Sequence, residues 1–454
     1  MISKFRIKLL FNLLYLSDFV NTFIAYQYYN LSLFSGINQL FFFAIMTILK
    51  IICSALGGFI IDHIQYTVNI FFISLFLTIF SYIYFLGYCW KLIYEYLYFA
   101  IGFQILAQQF QTIIIQTMIS KHFAEEQIPK QIALFNQYGY AGRLVCGIIT
   151  LIIYNQLKEF NQVSIKNGEI STLIFFLLPL MIILGLAICF QCSFSTFKID
   201  AFSKIPELQL IPIQSKGNLL QALKEILNTD RAIIAIAAGS IMSIIQLWQS
   251  YEVTQLYHNF KNEINLYLID SENGQFILGF AIQESPIIIS IIFARYIGKN
   301  IQQQDNALKY LTEKTTNSLM YFLLSTLQLT CSNCLLSLRV FFFIITIIMQ
   351  QYIFTVVSIS SASLIGIQKQ NFRTQGMSFG LLQMFINIFN IWVITVMIQL
   401  PQINSTVKLT IIYGFAFFYC IIGIVLSRML QFVKQYNEAI KQENQNSRKQ
   451  IFIK

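Results

Sequence analysis

Residues 39–66 read QLFFFAIMTILKIICSALGGFIIDHIQY. From 39 to 61 the stretch carries one charge, Lys50, and otherwise offers a bilayer the apolar surface it accepts. About 20 such residues in a helix cross the hydrocarbon layer, and a helix is the one single-segment form that satisfies every backbone N–H and C=O there. The run closes on Gly57, Gly58, Asp62 and His63, and a second apolar run begins at 66. This unit, a long apolar segment followed by a short polar loop, decides the fold class.

The unit recurs along the chain. Further runs lie near 9–29, 66–88, 94–119, 132–156 and 172–194, and again near 231–256, 275–297, 316–338, 340–366, 374–399 and 408–432. The run at 9–29 follows Lys4, Arg6 and Lys8, but it is too long for a signal peptide and no small-residue cleavage site follows it. Arg339 and its neighbours are all that separate 316–338 from 340–366. The predicted fold is an all-α membrane protein of about twelve transmembrane helices, each about 20 residues long.

Composition agrees. The 454 residues are 56% hydrophobic and only 11% charged, where a soluble domain carries about 25% charged residues to wet its surface. The formal charge of +10 does not point to nucleic acid, because the basic residues sit in short loops and form no long block of one sign. The eight cysteines are scattered, mostly within apolar runs, which argues against a disulfide framework. The pairs Cys189/Cys192 and Cys331/Cys334 fall at opposite ends of their spans, too far apart to share a metal. The histidines, His63, His122 and His258, lie in loops or at span edges. No phosphate-binding loop or hydrolase signature occurs, so no cofactor, no metal and no enzymatic activity are expected.

A polar stretch divides the spans. The expected organisation is a six-helix half at 1–194, a connector at 195–230, a second six-helix half at 231–432 and a disordered tail at 433–454. In the connector, Leu219, Leu220, Leu223, Ile226 and Leu227 recur at helical spacing opposite Lys224 and Glu225, predicting an amphipathic helix on the membrane surface. With both termini in the cytoplasm, most of the 30 Lys and Arg residues fall on the cytoplasmic side, as orientation by positive charge requires. The two glycosylation sequences, at Asn30 and Asn404, then both face the other side.

Ionisable residues inside spans are costly in hydrocarbon and must face protein or water. Four occur at similar depth: Asp18, Lys50, Arg143 and Glu284. Polar stripes accompany them: Asp18 with Asn21; Gln104, Gln108 and Gln111; Ser243, Gln246 and Ser250; Gln351, Thr355 and Ser358; and Gln383, Asn387 and Asn390. Such stripes serve either a central cavity or hydrogen bonds between helices. Gly139, Gly142 and Gly147 around Arg143 favour tight helix packing, and Pro286 after Glu284 interrupts one backbone bond.

The sequence SALGGFIIDHIQY, residues 54–66, resembles the loop motif of the major facilitator superfamily, G-x-x-x-D-R/K-x-G-R/K-R/K. Gly58 and Asp62 have its spacing; His63, Gln65 and Tyr66 depart from it. At the matching place in the second half, FARYIGKN (293–300) supplies Arg295, Gly298 and Lys299, similar to the motif's basic part. The resemblance implies two six-helix halves with spans 1, 4, 7 and 10 around a cavity, and pairs such as Asp18–Lys50 and Arg143–Glu284, with Asp18–Arg143 competing. It implies a gate at Gly58, Asp62 and Arg295, where the carboxylate latches onto a basic loop.

The function it implies is secondary transport of a small solute by alternating access. Lys50 or Arg143 would attract an organic anion, and Asp18 or Glu284 would carry a coupled proton. The competing reading is a non-transporting receptor or scaffold on a transporter-like fold. A monomer in a lipid bilayer, of the plasma membrane or an endomembrane, is expected.

Overall fold

The computed structural model describes residues 37–63, 67–91, 94–159, 224, 226–227, 229–247, 287–301, 304–317, 320, 336–367, 374–399 and 405–452. They form helices α1 (Ile37–His63), α2 (Thr67–Lys91), α3 (Tyr94–His122), α4 (Ile128–Glu159, after a 3₁₀ turn at Glu125–Gln127) and α5 (Asp230–Leu247). Next come α6 (287–300), α7 (Gln304–Thr315), α8 (Leu336–Ile367), α9 (Gln375–Gln399) and α10 (Ser405–Phe452). No strand occurs among the described residues. Spans expected at 9–29 and 172–194, most of that at 316–338 and most of the connector lie outside the described residues.

Four described segments are long and apolar enough to cross a membrane: Ala44–Asp62, Tyr98–Lys121, Ile344–Ile367 and Phe417–Tyr436. Their outer faces carry bare apolar side chains such as Ile52, Ile344 and Phe418, the surface a lipid-facing helix presents. The chain is a multi-pass membrane protein.

Local structure differs from expectation in three places. Helix α8 begins at Leu336 rather than at 340 and runs on to Ile367, so Arg339 lies in its first turn. One arginine at a helix end can reach the interface with its long side chain, so it need not mark a loop. Helix α7 begins at Gln304, ahead of the apolar run expected from 316. It buries Ala307, Leu308, Leu311 and Thr312 on one face, and its polar other face hides that stripe from an average over hydropathy. The tail expected to be disordered from 433 instead continues α10 to Phe452. Its Gln, Lys, Glu and Arg residues favour helix, and no Gly or Pro follows Gly423 to break it.

Packing brings one end of seven of the described helices together. The end of α1, the end of α3, the start of α4, the start of α5, the ends of α6 and α8 and the start of α9 meet at one side. That is the parity expected for spans alternating up and down. Among the described helices the most extensive pair is α1 with α9, one from each half.

A candidate gate where the two halves cross

Helices α1 and α9 touch backbone to backbone. A Cβ on Gly58 would lie 2.7 Å from the Gly376 carbonyl oxygen and 2.8 Å from the Met377 Cα. A Cβ on Gly376 would lie 2.9 Å from the Gly58 carbonyl oxygen. One turn along, Gly380 abuts the Ser54 carbonyl and Gly58. Small residues let helices approach this closely when oil offers no hydrophobic drive to join them.

The close approach places Asp62 at the open end of α9. Its carboxylate accepts the backbone N–H groups of Gly376 and Met377, each at 2.7 Å. The first amides of a helix lack partners within it and carry the positive end of its dipole. A carboxylate there makes charge-assisted hydrogen bonds, roughly twice as strong as neutral ones. The sequence suggested a carboxylate paired with a basic loop; the structure shows it bonded to a helix end. Basic groups are nevertheless close, since Lys121 at the end of α3 and Arg231 at the start of α5 both feel the Asp62 charge. Arg231 is buried and donates to Thr374 Oγ1 at 3.4 Å and Ser378 Oγ at 3.2 Å.

A second crossing joins α6 to α4. Gly298 faces Ala133 so closely that a Cβ on it would collide with the Ala133 methyl, and the Pro129 carbonyl oxygen is 3.6 Å away. Nearby, Gly366 of α8 lies against Ile128 and Ser120. Polar contacts also span the halves: Gln137 Nε2 donates to the Ile291 carbonyl at 3.0 Å, and Asn136 Nδ2 to Ser358 Oγ at 3.5 Å. Arg295 is exposed.

Lys50 is half-buried within the span Ala44–Asp62. One turn on, Ser54 Oγ bonds both the Lys50 carbonyl, at 2.6 Å, and Gln109 Oε1, at 2.9 Å. Of the stripe on α3, Gln104 is buried, Gln108 is half-buried, and Gln111 is buried with its amide directed to Thr78 Oγ1 at 3.3 Å. That bond stays within one half, so Gln111 joins neighbouring helices. Gln351 is likewise buried and accepts from Ser290 Oγ at 2.6 Å. Asp18, Asn21 and Glu284 lie outside the described residues, as do the side chains of Arg143 and Gln246.

Sequence reasoning missed Arg231, Lys121, Gly376 and Gly380. Each had a faint signal: a charge or glycine at the edge of an apolar run, on the side already assigned to the gate. Among the described residues no group of three or more His, Cys, Asp or Glu side chains gathers to hold a metal.

No family model matches the sequence, and comparison with curated proteins finds no match. Solved structures do match in shape. The transporter FucP in its outward conformation, a fucose:proton symporter of E. coli, superposes with a TM-score of 0.62 at 12% identity, covering 93% of this chain and 98% of its own. A bacterial homologue of the iron transporter ferroportin, outward-facing, gives 0.62 at 12% identity, with 93% and 98% covered. The human organic anion transporter MFSD10 gives 0.56 at 10% identity, with 92% and 98% covered. Over nine-tenths of its length, the chain has the fold of the major facilitator superfamily transporters.

Proposed function

We propose that the protein is a secondary active transporter that carries a small solute across a membrane by alternating access between its two halves. The observation that carries this reading is the joint at Gly58, Gly376 and Asp62. It brings helices of opposite halves into contact through a carboxylate on a helix end, a bond that water can replace when the halves separate. Glycine contact makes the closed form tight, and the charge makes it reversible.

Gly58 and Asp62 form the gate proper, on the cytoplasmic side where the basic loops gather. Arg295, being exposed, serves there as an interfacial charge. In this reading the chain crosses the bilayer about twelve times, both termini are cytoplasmic, and Asn30 and Asn404 are glycosylated on the far side. The protein works as a monomer in lipid. The solute is an organic anion drawn by Lys50 and Arg143, with a proton carried by Asp18 or Glu284. One structural neighbour is an organic anion transporter and another a proton symporter, which supports both choices. Asn21, Gln104, Gln108 and Gln246 line the path, while Gln111 and Gln351 brace its walls.

Purified protein in liposomes, given a panel of labelled organic anions with and without a pH gradient, tests this. Wild type is expected to accumulate at least one anion. Lys50→Gln should reduce uptake about tenfold, the scale of one lost charged contact, and Glu284→Gln should abolish the response to the gradient. Absence of gradient-driven or downhill uptake by wild type for every anion would end the anion reading.

A further inference from the structure

Arg231 stands in an electrostatically awkward place. Its guanidinium, 5% exposed, bonds Thr374 and Ser378 in the first turn of α9. That turn presents the positive end of the helix dipole, where a cation is unfavourable. The Asp62 carboxylate on the same turn offsets both the dipole and the guanidinium. Lys121 adds a further positive charge toward Asp62, so the acid from the first half faces cations of both halves.

Just before Arg231 the connector is pinned to the same turn. Ile226 is buried against Met377 and Leu381, with Phe59 of α1 packed alongside. Thr229 fixes the bend between peg and cation: its amide and hydroxyl both donate to the Ile226 carbonyl, at 2.9 and 2.6 Å. The Ala232 amide then bonds the Thr229 carbonyl at 3.1 Å. An apolar peg and a buried cation, five residues apart in the chain, thus grip the helix end that Asp62 caps.

Resting on the gate reading above, we propose that the end of the connector, Ile226 to Arg231, is a moving part of the gate whose docking depends on Asp62. When α1 departs, the positive helix end beside Arg231 loses the Asp62 charge, and the connector loosens. By reciprocity, loosening the connector weakens the hold on α1. Arg231 is a positioning residue: it holds the first turn of α9 where Asp62 can cap it.

The test uses the full chain in liposomes with Ser120→Cys as reporter. Ser120 is buried at the end of α3 beside Gly366, and maleimide labelling at that position, read by peptide mass, reports opening. Arg231→Gln and Ile226→Ala should each raise the labelling rate about fivefold, the lower end of typical coupling between sites, with Arg231→Lys intermediate. In an Asp62→Asn background, Arg231→Gln should instead lower the rate, because it removes a cation from a helix end that has lost the Asp62 charge. A purely structural arginine would raise labelling in both backgrounds, and that result overturns the proposal. So does an Asp62→Asn effect with no response to either connector substitution, which leaves the gate standing without the connector. If Asp62→Asn itself changes nothing, the gate reading falls and the proposal with it. Should Arg231→Gln fail to fold, Ile226→Ala decides by the same readout.

Discussion

The two crossings between the halves use one steric device and different chemistry. Where α1 meets α9, glycines on both helices allow contact, and a carboxylate then bonds two backbone amides. Where α6 meets α4, a glycine meets an alanine methyl, and the polar contact is a neutral amide bond from Gln137, while Asn136 of α4 bonds Ser358 of α8. Four residues past Gly58 stands Asp62; four residues past Gly298 stands Gln302. One joint is held by charge, which water can take over. The other is held mainly by shape, which water cannot replace. In the function proposed above, the first joint is a latch and the second a bearing.

The largest expected effect breaks the latch sterically. Gly58→Leu forces a branched side chain into the Gly376 backbone; overpacking of this kind costs about 3 kcal/mol. Uptake and the thermal unfolding midpoint should both fall sharply, and a normal midpoint would show that the backbones part easily. Removing the charge comes next. Asp62→Ala forfeits a helix cap and its dipole interaction, worth about 2 kcal/mol. Maleimide labelling of Ser120→Cys should then rise about thirtyfold, the equivalent of that energy, with smaller change for Asp62→Asn.

The bearing should respond less and differently. Gly298→Ala should lower thermal stability by about 1 kcal/mol, and Ala133→Gly on the facing helix should restore most of it. Lack of restoration would mean that the two sites do not share one contact. Smallest of all, Thr78→Val removes the Gln111 bond inside one half, about 0.6 kcal/mol for a typical hydrogen bond between membrane helices. It should lower the unfolding midpoint slightly and leave labelling at Ser120→Cys unchanged. A change in labelling would tie that bond to the gate.

Much of this was legible in the chain. Gly58 and Asp62 stand out through their resemblance to the superfamily's loop motif, in which glycine permits close approach and the acid seeks a partner. The partner itself was not legible. Asp62 and Gly376 are 314 residues apart, and no local pattern says which helix end a carboxylate will meet. The polar stripes show the opposite difficulty. Gln111 and Gln351 were visible as polar residues at helical spacing, yet their bonds to Thr78 and Ser290 turn them toward neighbouring helices. Sequence spacing gives a face, not what that face meets. Arg231 was overlooked because a charge at the start of a span is an ordinary interfacial residue until burial shows otherwise.

The sequence by itself determined that this chain lives in a bilayer as a set of helices, because oil leaves the backbone no other partner than itself. It also determined how those helices alternate, through loop length and charge. Which helices of opposite halves touch, and the fact that one acid, one arginine and one connector residue grip a single turn, only the tertiary structure decided. Those contacts join residues remote in the chain, and their energies depend on distances of a few ångströms that local sequence does not encode.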